Sequence, residues 1–222
     1  MKNTKNFIRS TIGKKVLVAT SGLLFCLFLL FHLANNLVIF TGSENFNFLV
    51  SSLESIKPLI RILEVTLLFV LITHVTNTVY LTYKTKKSEV ITSNKKNENR
   101  HSSLSSRTMF FSGSILFIFI VTHLSTFWYN FQIIDDHSLY YQIVTDSQLG
   151  FGNIFITLLY LVAMIFLGLH IKHGFSSALI TLGVSNTTLG KIINKIGFLF
   201  WFIVPTGFFT IAFWFGILNG GS

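Results

Sequence analysis

Apolar residues along this chain gather into long unbroken runs instead of alternating with polar ones. Five runs are long enough to cross the hydrocarbon core of a bilayer, which takes about 20 residues of helix: roughly 16 to 40, 62 to 83, 108 to 132, 153 to 178 and 196 to 218. The pattern predicts an all-α integral membrane protein, a single domain of five transmembrane helices. The longest connection, about 84 to 107, reads KTKKSEVITSNKKNENRHSSLSSR; it is polar, low in aromatics and expected to be flexible by itself. TGSENFNFLVSSLESIK, after the first run, mixes apolar and polar residues and is expected to lie along the interface. YNFQIIDDHSLYYQIVTDSQLG, after the third, carries tyrosines suited to the headgroup level. Pro205 should kink or interrupt the fifth helix, since it lacks a backbone donor and its ring crowds the preceding turn.

Composition agrees. The 222 residues are 51% hydrophobic and include 25 Phe against 17 basic and 8 acidic side chains, far from a water-soluble domain. The basic MKNTKNFIRSTIGKK resembles the start of a signal peptide, but VLVATSGLLFCLFLLFHLANNLVIF is too long for a cleaved apolar region and lacks a clear small-x-small site. It reads as a retained first span. The lone Cys26 allows no intrachain disulfide, and no CxxCH is present for covalent haem attachment, so any haem must be held by coordination alone.

Charge sets the expected orientation. Lys2, Lys5, Arg9, Lys14 and Lys15 precede helix 1; Lys84, Lys86, Lys87, Lys95, Lys96, Arg100 and Arg107 lie between helices 2 and 3; Lys172, Lys191 and Lys195 flank the connection between helices 4 and 5. Only Lys57 and Arg61 lie between helices 1 and 2, while the connection between helices 3 and 4 carries Asp135, Asp136 and Asp146 and no basic residue. The positive-inside rule therefore puts the N-terminus inside and the C-terminus outside, with 84 to 107 as the cytoplasmic loop. The net charge of +9 is mostly this bias, and nucleic-acid binding is not inferred from it.

Helices 1 and 3 share a short repeat. SGLLFCLFLLFHL and SGSILFIFIVTHL both read Ser-Gly, nine residues, His-Leu, in helices expected to run the same way. Of the seven histidines, His101 and His137 fall in loops; His32, His74, His123, His170 and His173 lie in or at the ends of helices. An ionisable ring is costly inside a membrane, and a single one is commonly just hydrogen-bonded to a neighbouring helix. The set is more informative. At about 1.5 Å per residue, His32 and His123 share a level roughly 25 Å above the cytoplasmic ends of their helices. His74 and His170 share a lower one. Four consecutive helices thus supply one histidine each, paired first with third and second with fourth.

Two facing imidazoles at one depth suit a six-coordinate haem, whose macrocycle fills the gap between helices. The economical inference is two haems b in a bundle of the first four helices. Gly22 and Gly113, ten residues before His32 and His123, could give clearance to the inner macrocycle or simply let helices pack closely. Zinc fits less well, because His170 and His173 are three apart with no carboxylate near them in sequence. A transporter would be expected to carry intramembrane acids, and only Glu64 lies near a span. Between His170 and His173 periodicity alone does not choose, though depth pairing with His74 leans toward His170.

These residues resemble a known family, the single-chain, five-helix, di-haem cytochrome b subunit that anchors bacterial succinate dehydrogenase and fumarate reductase. The resemblance is carried by TIGKKVLVATSGLLFCLFLLFHL, by SLSSRTMFFSGSILFIFIVTHL and by HIKHGFSSALITLG, and spans nearly the whole chain. It implies His32 with His123 as axial ligands of the outer haem b and His74 with His170 for the inner one, the spacing to Gly174 and Gly183 selecting His170 and leaving His173 as a neighbour. It further implies a bacterial cytoplasmic membrane location and an iron-sulphur subunit docked on the cytoplasmic face, itself bound to a flavoprotein that interconverts succinate and fumarate. Electrons would run through both haems to a quinone, expected to be menaquinone, with Glu54 as the match to a quinone-site glutamate. The basic loop from Lys84 to Arg107 would meet the iron-sulphur partner. One departure stands out: where a quinol-oxidising fumarate reductase of this family has a proton-carrying glutamate two residues before the helix 4 ligand, this chain has Gly168, which favours the succinate-oxidising direction. The alternatives are a di-haem subunit of a formate dehydrogenase or hydrogenase complex, and a histidine-based transporter.

Overall fold

The computed structural model describes residues 7–93, 104–134, 136 and 138–219. Among them every regular element is helical. The helices are α1 (Thr11–Leu37), α2 (Ser43–Ser55), α3 (Lys57–Ser93), α4 (Leu104–His123), α5 (Tyr129–Ile133), α6 (Tyr140–Thr145), α7 (Ile154–Thr181), α8 (Thr188–Phe198) and α9 (Val204–Phe213). Five continuous segments are long and apolar enough to cross a membrane: Thr11–Thr41, Lys57–Thr85, Thr108–Ile133, Ile154–Thr181 and Thr188–Leu218. Each contains one of the five runs expected from the sequence, except that the fourth begins at residue 154, one residue after the expected start.

Capping explains where the spans begin and end. The Ser10 hydroxyl oxygen accepts the Gly13 N–H at 3.0 Å, the Asn153 side chain accepts that of Phe155 at 3.0 Å, and the Thr187 hydroxyl accepts that of Gly190 at 2.9 Å. Helix α7 ends at Gly183, whose φ of +74° is left-handed; its N–H donates to Ile180 and the Val184 N–H donates to Leu179, both at 3.0 Å. Val184 also packs on the cluster that buries Leu179, completing a Schellman stop. The glycine is there because a Cβ is strained at this φ.

Helix α3 departs from expectation. It runs on through Ser93, so residues 84–93 of the anticipated loop of 84 to 107 are helix, as are residues 104–107 at the start of α4. No Gly or Pro interrupts KTKKSEVITS, and charged side chains can solvate turns that leave the bilayer. Residues 94–103, with Lys95, Lys96, Arg100 and His101, lie outside the described residues, as do Lys2, Lys5, Asp135 and His137.

Three π turns, at Leu124–Trp128, Leu199–Ile203 and Trp214–Leu218, interrupt the third and fifth spans. The second is the break expected at Pro205. Proline cannot donate to the Trp201 carbonyl four residues back, and the wider turn shifts the ladder, with the Val204 N–H donating to Leu199.

Helix α1 packs against α3, α7 and α9, and α7 against α4, α8 and α9. No comparable contact joins α3 to α4 or to α7. No residue of the apolar window of α3 is buried, so this helix stands apart along its middle and is fastened near its ends. At one end the Lys84 ammonium donates to Thr11 at 2.6 Å and Lys14 donates to Asn77 at 3.2 Å. At the other, Arg61 donates to Glu64 at 2.6 Å and to Gln132, while the Trp128 indole donates to Glu64 at 2.8 Å. Glu64, the acid singled out near a span, is thus consumed in a clamp between α3 and the third span.

The segment after the first span, expected to lie along the interface, folds as α2 and is tied to α6. Asn47 donates to the Ser138 carbonyl at 2.5 Å and accepts the Tyr141 N–H at 2.8 Å. Tyr140, expected at the headgroup level, is fully buried at 0% exposure in a core cluster with Leu33, Phe46, Phe127 and Tyr160. Its hydroxyl donates to Glu54 at 2.7 Å, and burial together with that carboxylate pushes its pKa above the ordinary tyrosine value.

Candidate functional site

The sequence repeat turns out to be a geometric device. His32 lies 11 residues after Ser21, and His123 lies 11 after Ser112. Eleven residues at about 100° each return within about 20° of the starting direction and rise about 16 Å. Each of helices α1 and α4 therefore presents Ser-Gly and His on one face, at two levels. A phenylalanine seven residues after each serine, Phe28 and Phe119, falls on the same stripe.

At the upper level the structure brings His32 and His123 together, ring centroids 5.8 Å apart and planes nearly perpendicular at 85°. Phe28 stacks on His32 at 5.1 Å, and Phe119 on His123 at 5.8 Å, each from one turn below. The His123 Nδ1 lies 2.9 Å from the Tyr160 hydroxyl. Asn36 donates to the His32 carbonyl at 2.7 Å and reaches the His32 Nδ1 at 3.4 Å, a weak contact.

At the lower level, His74 of α3 sits on the Ser-Gly of α1 and His170 of α7 on the Ser-Gly of α4. Nδ1 of His74 is 2.9 Å from Ser21 Oγ, and Nδ1 of His170 is 3.1 Å from Ser112 Oγ. His170 lies within electrostatic reach of His74. A Cβ built on Gly22 would meet only the His74 ring, at 3.5 Å, and one on Gly113 only the His170 ring, at 3.4 Å. These are ordinary contacts with an imidazole edge, and no helix backbone approaches either glycine.

Other glycines do serve close packing. A Cβ at Gly207 would strike Leu33 at 2.7 Å, and one at Gly197 would meet Phe175 at 3.0 Å. Gly168 is of this second kind: a Cβ there would come within 3.0 Å of the Trp201 carbonyl oxygen and 3.8 Å of Pro205. That carbonyl is the one Pro205 cannot engage, so α7 closes on the break in the fifth span, where any side chain would require the carbonyl to shift by a few tenths of an ångström. The departure at Gly168 thus has a packing cause, and a carboxylate side chain is not accommodated as packed.

All four rings share one feature. Nδ1 is approached by a protein side chain, whereas Nε2 receives no hydrogen bond from any described residue. Among the described residues no fully buried side-chain nitrogen or oxygen lacks a partner, so each of these Nε2 atoms keeps some contact with accessible space. Metal-binding imidazoles are typically arranged in this way, one nitrogen held by a neighbour and the other presented. A metal–nitrogen bond of about 2.0 Å puts two imidazoles on one iron about 6 Å apart between centroids, which the 5.8 Å of His32 and His123 approaches. The donor set therefore fits a haem at each level. No cluster of three or more His, Cys, Asp or Glu occurs among the described residues; an axially held haem draws on two.

His173 is exposed, with no ring contact or hydrogen bond among the described residues, unlike His170. Glu54 is bound by Tyr140 and by Lys57 at 2.6 Å, on the short helix α2. Sequence reasoning missed Ser21, Ser112 and Tyr160. The first two were visible in the repeat, without any sign of what they touch; nothing in the sequence distinguishes Tyr160. No family model, curated protein or solved structure matches this chain.

Proposed function

We propose that this chain is the membrane-anchor cytochrome b subunit of a bacterial succinate:quinone oxidoreductase, its first four spans forming a bundle that holds two bis-histidine haems b. The observation that carries the haem reading is the set of four imidazoles at two levels, each held at Nδ1 and presenting Nε2. His32 and His123 are the axial ligands of the outer haem, His74 and His170 those of the inner one. A haem so held exchanges single electrons without binding substrate at its iron.

The chain's own work is placement and insulation. Facing stripes on α1 and α4 fix two ligand levels about 16 Å apart along the helix axis, a separation that 11 helical residues enforce. Phe28 and Phe119 stack on the outer ligands and keep water from their faces. The Arg61–Glu64–Gln132–Trp128 clamp and the Lys14 and Lys84 contacts hold α3 at its ends and spare the stretch around His74.

The succinate assignment rests on the motif resemblance and the basic residues of the side read as cytoplasmic, where an iron-sulphur subunit and its flavoprotein would dock. Electrons would pass from succinate through those partners and both haems to a quinone, expected to be menaquinone, near the outer face. Glu54 is proposed as a quinone-site residue, with Tyr140 the group that positions it. Purifying the tagged chain from native membranes tests the assignment. A flavoprotein and an iron-sulphur protein should co-purify with succinate-dependent quinone reduction; a molybdenum or nickel subunit in their place would assign the chain to another quinone-linked complex.

A further inference from the structure

We infer that Ser21 and Ser112 are positioning residues that fix the proton and the donor strength of His74 and His170, and through them the potential of the inner haem. The inference rests on the haem reading above.

A serine hydroxyl has one proton to give. Ser21 donates it to the Leu17 carbonyl one turn back, at 2.6 Å, and Ser112 donates to the Met109 carbonyl at 3.1 Å. Each oxygen then faces an imidazole with lone pairs only. The His74 Nδ1–H therefore donates to Ser21, with the Val18 carbonyl a further acceptor facing that ring, and the His170 Nδ1–H to Ser112, which strips the proton from Nε2 in both rings. Neither ring has to shed a proton or turn over before Nε2 can coordinate.

The outer pair is built differently. The Tyr160 hydroxyl is shared between His123 and the Thr126 hydroxyl, and Asn36 approaches His32 with an amide N–H, which cannot accept a proton. Only the inner level has two ligands whose Nδ1 protons are committed to oxygens with no proton left to give. Because the serine occurs 11 residues before the histidine in both repeats, each of α1 and α4 carries an outer ligand and the lock for an inner ligand on the neighbouring helix. A Cβ on the glycine beside each serine would rest against the same ring in ordinary contact.

An Nδ1–H with a good acceptor makes the imidazole a stronger donor and favours ferric iron. Removing the acceptor should raise the potential of the inner haem and weaken its retention, by about 10- to 100-fold for loss of such a partner. Alanine suits a helix interior, so the variants should keep the fold.

The test uses the assembled complex in native membranes and a potentiometric titration followed in the haem absorption bands, the inner component being the one lost in His74→Ala. Ser21→Ala and Ser112→Ala should each raise the inner potential, the double variant more than either, while the outer component stays in place. Ser21→Thr and Ser112→Thr, which keep a hydroxyl able to donate one turn back, should restore it. An unmoved inner component, or equal movement of both, would overturn the inference while leaving two haems in place. Wild-type complex without haem would instead overturn the reading beneath it.

Discussion

Replacing His74 or His170 with alanine should remove one haem of two and leave the other. The lost component should be the same in both variants, because the two rings sit at one level on matching Ser-Gly seats. Loss of His32 or His123 should remove the other component. His123→Ala should also cost some stability, since it removes one of two hydrogen-bond partners of the Tyr160 hydroxyl, a residue only 6% exposed, and leaves Thr126; one hydrogen bond contributes about 0.5–1.5 kcal/mol. His173→Ala should retain both haems, because that exposed ring touches nothing described. Haem content by pyridine haemochrome per mole of purified chain reads all five variants. If His173→Ala lost the inner component and His170→Ala kept it, the two rings of HIKH would have to exchange roles.

The second large effect is expected at Gly168. Glu at this position has a functional precedent in the resembling family, yet here its Cβ alone would crowd the Trp201 carbonyl. Gly168→Glu should lower the thermal midpoint of the detergent-solubilised chain markedly. Overpacking contributes about 1–3 kcal/mol, and a carboxyl within a span adds a penalty of about 2.5–3.5 kcal/mol on insertion scales. Gly168→Ala should be milder, since the carbonyl need shift only a few tenths of an ångström. A Gly168→Glu chain as stable as wild type would show that α7 and the fifth span are not closed at this point.

The spans were legible because the bilayer imposes a length that hydropathy reads directly. The extension of α3 to Ser93 was not, since charged helical turns in water carry no hydropathic mark. Histidine depth is an expectation from rise per residue; what the structure adds is that the His32 and His123 rings lie 5.8 Å apart between centroids. What those rings rest on was hidden. Ser21 and His74 are 53 residues apart, and helical periodicity says which face a serine occupies without saying which helix covers it. The burial of Tyr140 was hidden for the same reason: the acceptor for its hydroxyl, Glu54, lies on another element. The glycines were equivalent in sequence and separate only by their neighbours, an imidazole edge at Gly22 and Gly113 but a backbone carbonyl at Gly168.

The most direct test of the central claim is the haem content and reduced-minus-oxidised spectrum of the purified wild-type chain. The account predicts two non-covalent haems b per polypeptide, both low-spin and six-coordinate, with neither shifted by carbon monoxide because both axial positions belong to histidine. A chain purified intact with no haem, or with a single one, would contradict it.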